Sequence, residues 1–330
     1  MPGTPAFLTN AFSSYTAGFF PNATGVNHED LADIVTILDS FQTPLFSSSP
    51  KIRAKDVVHS WTVDSLVALS GGTSASSYGT TEAADFSGDV LTGPSRIMNM
   101  CQIFSRHVGV SDRERAANPA GIRDMYEHQV MKEFKNIARF CEARIWQTGS
   151  GATANTSASG NSAVANFPKM AGISGLGCTT AGTACGQVTT ADIVSLSQTL
   201  FNNGAEPDSI WFAPGSKSQF VNQTISAGSG NVRNIAATDQ RLVANVDVFE
   251  TPFNQLYSII TDRFIPMGAA SGSAGYYIGD RSMAKIAFFR PPQHKPMGKG
   301  GDHTRGIVLM DCTLQLDHPS SWALMSGVTA

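Results

Sequence analysis

The sequence lacks any long hydrophobic run and any visible targeting segment. None of its 330 residues lie in a stretch near the roughly 20 consecutive apolar residues that a membrane helix requires. The start, Met1-Pro2-Gly3-Thr4, has no basic segment leading into an apolar run, as a secretory signal would. We therefore expect a soluble protein that has no membrane partner and is synthesised inside the cell.

Charged residues are also scarce. They make up 15% of the chain, against about 25% in a typical soluble domain. The net charge is -3, which argues against tight binding of nucleic acid, because that affinity comes from clustered Lys and Arg. A subunit covered on several sides by copies of itself needs less surface charge than a monomer, so the composition favours an assembly.

Local signatures of catalysis and metal binding are absent from the sequence. No GxSxG, HExxH, GxGxxG or calcium-loop motif occurs, and the five cysteines form no CxxC pair. We therefore expect no catalytic residue, no metal and no cofactor. An enzyme whose active site combines scattered His, Asp and Ser side chains is the alternative from a different class. A disulfide between Cys178 and Cys185, which bracket a short hairpin-like segment, is left open.

The first 50 residues are rich in proline and read as an extended arm. A short helical pattern of apolar residues lies between Leu31 and Phe41. The rest cannot bury its own aromatic side chains, so we expect these to lie on the body of this subunit or on a neighbour. The arm residues proposed for such contacts are Phe7, Phe12, Phe19 and Phe20.

Between residues 51 and about 110 the apolar period changes to two, which predicts two long strands around a protruding tip. Met98, Phe104 and Val108 are expected on one strand face. The tip is rich in Gly and Ser, and no Lys or Arg occurs between Lys55 and Arg96. This acidic loop either docks on the basic surface of a neighbour or serves solubility. Its acidic residues are Glu82, Asp85 and Asp89.

The strongest local pattern is one long helix. It begins at Asn118-Pro119, continues with apolar residues at helical spacing and ends at Gly149, which predicts a length of roughly 40 Å. A basic set lies on its opposite face and is either solvated or part of an interface. The candidate partners of the acidic loop are Arg123, Lys132, Lys135, Arg139 and Arg144.

The remaining chain predicts a flexible loop followed by a mixed α and β region. Residues 149–166 are almost entirely Gly, Ser, Ala, Thr and Asn. A short helix over 193–201, closed by Asn203-Gly204, and a buried strand over 209–214 follow. Further strands are predicted between 242 and 290, and a long strand over 306–316.

Together these elements resemble the major capsid proteins of tailed bacteriophages. Besides the order of elements and the long helix, the resemblance rests on Asn99–Ser111, Met170–Ile173, Trp211–Pro214 and the ending from Gly301 to Leu314. It implies an α+β chain with the Hong Kong 97-like capsid fold. The implied parts are an N-terminal arm (1–50), an extended β-hairpin loop (51–100), a peripheral domain with the long spine helix (101–170 and 291–330) and an axial domain (171–290).

The same resemblance implies a major capsid protein that self-assembles as hexamers and pentamers into the icosahedral head of a tailed bacteriophage. The head would enclose double-stranded DNA without sequence-specific binding, and axial domains would meet around its fivefold and sixfold centres. We expect assembly in the host cytoplasm and localisation in the virion capsid. The alternative with the same fold is an encapsulin-like compartment shell that encloses an enzyme cargo.

Two departures from relatives refine the expected partners. Because the chain begins almost directly with the arm, we expect a separate scaffolding protein instead of a cleaved N-terminal segment. The portal protein is a further implied partner, with or without a decoration protein. Because the loop has no lysine between Lys55 and Arg96, we expect no covalent crosslink from it to a neighbour.

Overall fold

A computed structural model describes residues 42–66, 82, 93–117, 122, 124–147, 169–181, 186–226, 235–236, 241–242, 246–267 and 274–328. Several predicted features lie outside these residues. They are the arm contacts Phe7, Phe12, Phe19 and Phe20, the tip acids Asp85 and Asp89, Arg123, Cys185 and the segment 149–166.

The described residues form five α-helices and fourteen strands. The helices are α1 (Pro44–Ser48), α2 (Asp112–Ala116), α3 (Met125–Trp146), α4 (Thr190–Asn202) and α5 (Pro214–Ser226). The first strands are β1 (Lys51–Arg53), β2 (Val58–Val63), β3 (Ser95–Met100), β4 (Gln102–Ser111), β5 (Thr179–Ala181), β6 (Ser209–Phe212) and β7 (Ile235–Ala236). The later strands are β8 (Arg241–Leu242), β9 (Val248–Glu250), β10 (Leu256–Thr261), β11 (Ala274–Gly279), β12 (Ala284–Met297), β13 (His303–Leu316) and β14 (Trp322–Ser326).

Helix α3 lies on a four-stranded sheet with the strand order β1-β12-β13-β4. The strand β13 alternates in the sequence as expected, and its apolar face is buried against the helix. Ile137 and Cys141 of α3 belong to the same apolar core as Phe104 of β4 and Met310 of β13. The sheet therefore buries one face of the spine helix along most of its length.

A second sheet has six strands in the order β5-β14-β11-β6-β10-β9. Helices α4 and α5 contribute Leu196 and Phe220 to its core, beside Phe212 and Tyr276 of the central strands. The predicted helix end at Asn203-Gly204 is confirmed, because Gly204 has a φ of 78°, which ends a helix at little cost in glycine.

Four aromatic rings join the spine helix to the six-stranded sheet. The ring centroid of Trp146, at the end of α3, lies 5.3 Å from that of Trp211, 4.9 Å from Tyr277 and 6.2 Å from Trp322. The hydroxyl of Tyr277 also donates a hydrogen bond to the carbonyl of Trp146 (3.0 Å). One continuous core therefore links the two sheets, and the predicted α+β class is confirmed.

Two local predictions were wrong. The long helix begins at Met125 and not at Pro119, because the Asp124 carboxylate accepts the N–H groups of Tyr126 and Glu127 and caps the first turn. Its 22 residues span roughly 33 Å. Met98 and Phe104 do not share one strand, because Cys101 separates β3, which pairs with β2, from β4, which pairs with β13.

The sheets divide the chain differently from the predicted domain ranges. The boundary between 290 and 291 falls inside β12, which runs unbroken from Ala284 to Met297. Strand β14, which the resemblance assigned to the peripheral domain, pairs with β11 and β5 in the six-stranded sheet. The predicted residue ranges of the arm, the loop, the peripheral domain and the axial domain therefore stay predictions.

Candidate assembly surfaces

The ribbon formed by β2 and β3 is attached to the subunit through one face. His59 hydrogen-bonds the side chain of Gln315 on β13 (2.6 Å), and Trp61 and Ile97 pack against the main core. The buried amide of Asn99 donates to the carbonyl of Leu314 (2.7 Å). These contacts fix the base of the predicted loop on the four-stranded sheet.

The opposite face of this ribbon carries an open apolar patch beside the polar residues Ser60, Thr62 and Arg96. Val58 pairs with Met100, and Ser60 pairs with Met98. Val58 keeps 38% and Met98 keeps 48% of its surface exposed. A two-stranded ribbon is marginal alone, and contiguous exposed apolar side chains are typical of interaction surfaces. This outer ribbon face (Val58, Met98 and Met100) is therefore a candidate contact surface.

A second apolar surface lies between β4 and the C-terminal half of α3. Ile103 is 51% and Phe140 is 45% exposed, and both line a groove of about 570 Å³ together with Phe264 and Pro266. The guanidinium of Arg106 lies 5.5 Å from the ring centroid of Phe140. We call this surface the spine groove. It combines apolar side chains with a cation at its margin.

The predicted cations of α3 fall into two groups. Lys132 and Lys135 are exposed. Arg139 is half-buried and lies over the ring of Phe264 at 5.8 Å. These three side chains follow one stripe of the helix, at the spacing that places residues on one face.

Arg144 does not belong to this exposed set, which corrects the predicted helix face. The residue is buried, and its Nε donates to the carbonyl of Met170 (3.0 Å), while Nη1 donates to Gln147. Burial lowers the pKa of its guanidinium. Its hydrogen bonds hold the segment that follows the glycine-rich loop against the end of α3, so the part of it available to a neighbour is small.

The acids of the loop and the helix cations are not brought together within the described part of one subunit. Glu82 is described and exposed. The predicted ion pair between this loop and the α3 helix of a neighbour stays a prediction. Cys178 is a buried free thiol, and burial raises its pKa to about 12.

Sequence reasoning missed three features of these surfaces. The spine groove combines residues from β4, α3 and the turn after β10, and nothing in their local patterns records this proximity. Met98 was predicted to share a strand face with Phe104, which is buried, so the exposure of Met98 was not predicted. The third feature is Glu142 in α3, a carboxyl group that is completely buried.

Within the described residues, no cluster of three or more His, Cys, Asp or Glu side chains is placed to hold a metal ion. A cleft between α2, β4 and α3 contains the single histidine His107 with Glu114 and Glu133. Glu133 is ion-paired with Arg106 (2.8 Å). Among the described helices, none is both long and apolar enough to cross a membrane.

Comparison with solved structures places the fold among capsids. The capsid of cyanophage A-1(L) has a TM-score of 0.66 at 9% identity, covering 94% of this chain and 99% of that chain. The capsid of a native GTA particle has a TM-score of 0.59 at 15% identity, covering 94% and 98%. The holo-SrpI encapsulin complex from Synechococcus elongatus PCC 7942 has a TM-score of 0.54 at 11% identity, covering 91% and 93%. The predicted Hong Kong 97-like capsid fold is confirmed.

The sequence comparison gives the family. No curated protein matches the chain. The SU10 major capsid protein family matches residues 9–329, which include the ribbon, the spine helix and both sheets. Because this match spans nearly the whole chain, the chain belongs to the SU10 major capsid protein family, and its role is that of a capsid shell protein.

Proposed function

We propose that the chain assembles as hexamers and pentamers into the icosahedral head of a tailed bacteriophage and encloses double-stranded DNA. The family match over residues 9–329 carries this proposal. The low charge of the chain and the two open apolar surfaces support it, since both suit a subunit that is covered by its copies. A structural role fits this function, and no step of catalysis is part of it.

The contacts between subunits are proposed to combine an apolar and an ionic part. The outer ribbon face and the spine groove supply apolar area from two different sets of residues. Such a heterologous pair of surfaces closes into rings when the rotation between subunits allows it. Many weak contacts of this kind remain individually reversible, while the closed shell is stable.

The ionic part pairs the acidic loop with the exposed stripe of α3 on a neighbour. Glu82, Asp85 and Asp89 carry the negative charge, and the positive charge comes from Lys132, Lys135 and Arg139, with Arg123, which precedes the helix in the sequence. Complementary charge of this kind sets orientation and register more than affinity. Arg144 acts within the subunit, where its Nε donates a hydrogen bond to the carbonyl of Met170.

The arm is proposed to add a third contact. Its apolar side chains bury area across the subunit boundary at about 25 cal/mol per Å². The residues proposed for this contact are Phe7, Phe12, Phe19 and Phe20.

Further partners follow from the proposed head. A separate scaffolding protein directs curvature during assembly in the host cytoplasm, and a portal protein occupies one vertex, with or without a decoration protein outside. The packaged DNA meets a subunit with a net charge of -3, which suits enclosure without tight binding.

An encapsulin-like compartment is the second candidate, because the holo-SrpI encapsulin has the same fold. Negative-stain electron microscopy of the purified protein, alone and coexpressed with its neighbouring reading frames, tests both. Closed shells that contain DNA support the phage head, and closed shells filled with a protein cargo support the compartment. A monodisperse monomer under both conditions would contradict both proposals.

A further inference from the structure

Two buried carboxyl groups meet where α1, α3 and the turn after β10 come together. Glu142 of α3 is 0% exposed and Asp262 is 1% exposed. The indole N–H of Trp146 lies 2.7 Å from Asp262 Oδ2 and 3.3 Å from Glu142 Oε1. The two carboxyl groups therefore share one donor, the indole N–H of Trp146, and stand next to each other in the interior. We call these two residues the carboxyl pair.

The carboxyl pair holds three parts of the subunit together. Glu142 accepts the N–H groups of Leu45 (2.9 Å) and Phe46 (2.6 Å), which lie in the first turn of α1 and have no partner inside that helix. Asp262 accepts the N–H of Phe264 (2.8 Å). The backbone N–H of Asp262 donates to the carbonyl of Phe212 in β6 (2.9 Å). The segment that follows the arm is thereby joined to the spine helix and to the six-stranded sheet.

Among the described residues, no cation is ion-paired or hydrogen-bonded to the carboxyl pair. The neighbouring α3 residue is the thiol of Cys141, whose Sγ lies 3.3 Å from that of Cys312 in β13. From β11, Tyr277 donates to the backbone beside the pair, and α1 has no titratable side chain. Arg139 lies over an aromatic ring of the turn, and Arg263 is exposed. Charge on both carboxyl groups would therefore stand uncompensated in the interior.

We propose that the carboxyl pair is a proton-dependent latch, in which one shared proton keeps α1 fastened to the spine helix until alkaline pH removes it. Two ionised carboxylates in contact repel each other in a medium of low dielectric constant. The N–H groups of Leu45 and Phe46 favour the charged form of Glu142, but burial and Asp262 outweigh them. Loss of the proton therefore favours an opening that lets water reach Glu142, and α1 is the element whose N–H groups contact that carboxylate. The latch belongs to one subunit and stands independently of the proposed head.

The titration of Glu142 gives the direction of the pH effect. Burial first, and then the hydrogen bond and charge of Asp262, raise the pKa of Glu142 to about 9 from its ordinary value of 4.5. The folded protein therefore holds a proton that the unfolded chain releases. The stabilising contribution is complete below a pH of about 4.5 and is lost as the pH rises through about 9.

Infrared difference spectra of the full-length protein test the shared proton directly. The carbonyl stretch of a protonated carboxyl group is expected at neutral pH and disappears as the pH rises through about 9. In Asp262→Asn the charge of Asp262 is gone and the amide can donate to Glu142, so the pKa of Glu142 falls and the carbonyl change shifts to lower pH. Asp311→Asn is the matched control, because Asp311 is equally buried but has Arg290 as its ion partner; this variant should keep the alkaline change. Absence of the carbonyl change in the wild-type protein would overturn the proposal.

Hydrogen exchange of the peptide that contains α1 tests the release. Wild type and Asp262→Asn are compared at the same pH, so that the intrinsic rate of base-catalysed exchange cancels. At about pH 10 the wild-type α1 amides are expected to exchange faster than those of the variant, and at about pH 7 equally fast. Equal exchange at both pH values would show that the proton does not control α1. If the variant does not fold, the wild-type infrared measurement alone decides.

Discussion

At the scale of single residues, Asn99 shows how one buried amide joins three segments. Its Nδ2 donates to the carbonyls of Ala171 (3.1 Å) and Leu314 (2.7 Å). Its Oδ1 accepts the N–H groups of Ala171 (2.9 Å) and Met100 (2.9 Å). Both donors and both acceptor positions of the amide are used. The base of the ribbon is therefore held to β13 and to the segment after the glycine-rich loop by one side chain.

Replacing this amide should be costly. We expect Asn99→Ala to lower the free energy of unfolding by about 2–4 kcal/mol, because it leaves buried backbone groups without partners. Urea denaturation of the full-length protein measures this loss. Asn136→Ala is the control, since Asn136 is only half-buried and bonds side chains of its own helix, and a loss of about 1 kcal/mol or less is expected. Equal losses in the two variants would contradict the bridging role.

Arg144 and Glu142 show where residue-scale prediction ends. In the sequence, Arg144 resembles the exposed Lys132 and Lys135, because all three are long cations in one helical pattern. Its burial depends on the carbonyl of Met170, which lies beyond a long loop. Glu142 is buried because distant backbone N–H groups and Asp262 meet it. Whether a charged side chain is buried depends on partners that are distant in the sequence. A local sequence pattern does not show those partners.

At the scale of elements, the ribbon was predicted from its alternation, while its two faces became distinguishable only in the structure. The inner face is fixed by Asn99 and His59, so the ribbon does not need the outer face for its own attachment. Apolar side chains that are not needed for the fold are free to serve assembly. Stability and assembly should therefore respond differently to changes on the outer ribbon face.

Met98→Gln separates these two properties. Because Met98 is 48% exposed, the free energy of unfolding of the subunit should change by about 0.5 kcal/mol or less. A lost apolar contact of about 1 kcal/mol should raise the critical concentration for assembly about fivefold, as measured by light scattering and sedimentation. Thr62→Gln alters an exposed and already polar residue of the same ribbon and should leave assembly unchanged. Normal assembly of Met98→Gln would exclude the outer ribbon face from the contact.

Prediction at this scale succeeded where the pattern was long and local. The spine helix and β13 were predicted because their apolar residues repeat over many turns or strand positions. Helix α5 was missed because its apolar stripe is weak and because it begins with Pro, Gly and Ser at 214–216, which are residues typical of turns. The place of β14 in the six-stranded sheet depends on pairing with β11, about 50 residues earlier in the chain. Pairing of this kind leaves no periodic trace in the sequence.

At the scale of the whole molecule, ionic and apolar contacts between subunits respond differently to salt and to temperature. Ionic contacts between exposed groups weaken as salt is added, since the Debye length falls from about 10 Å at 0.1 M to about 3 Å at 1 M. Apolar contacts strengthen in salts such as sulfate and weaken on cooling. Salt and temperature therefore report which part of the proposed contact dominates.

The ionic part is tested by charge reversal in the loop. Glu82→Lys combined with Asp85→Lys should lower the yield of closed shells at low salt, and the difference from wild type should shrink at about 1 M salt. The control, Glu206→Lys with Glu250→Lys, makes the same change in net charge at exposed positions outside the loop. An unchanged yield and shell stability in the loop variant would leave solubility as the role of these acids.

The apolar part should be the larger one, because the subunit has little surface charge and exposes Val58, Met98, Ile103 and Phe140. Burial of apolar area is driven by entropy near room temperature. Cooling to about 4 °C should therefore lower the yield of shells, and sulfate should raise it. Deletion of residues 2–25 removes the arm phenylalanines and should reduce the yield at every temperature. Full assembly of the truncated protein would exclude the arm as an apolar contact. If the yield of shells from the wild-type protein instead falls steeply as sodium chloride is added and does not change on cooling, the ionic part of the contact dominates.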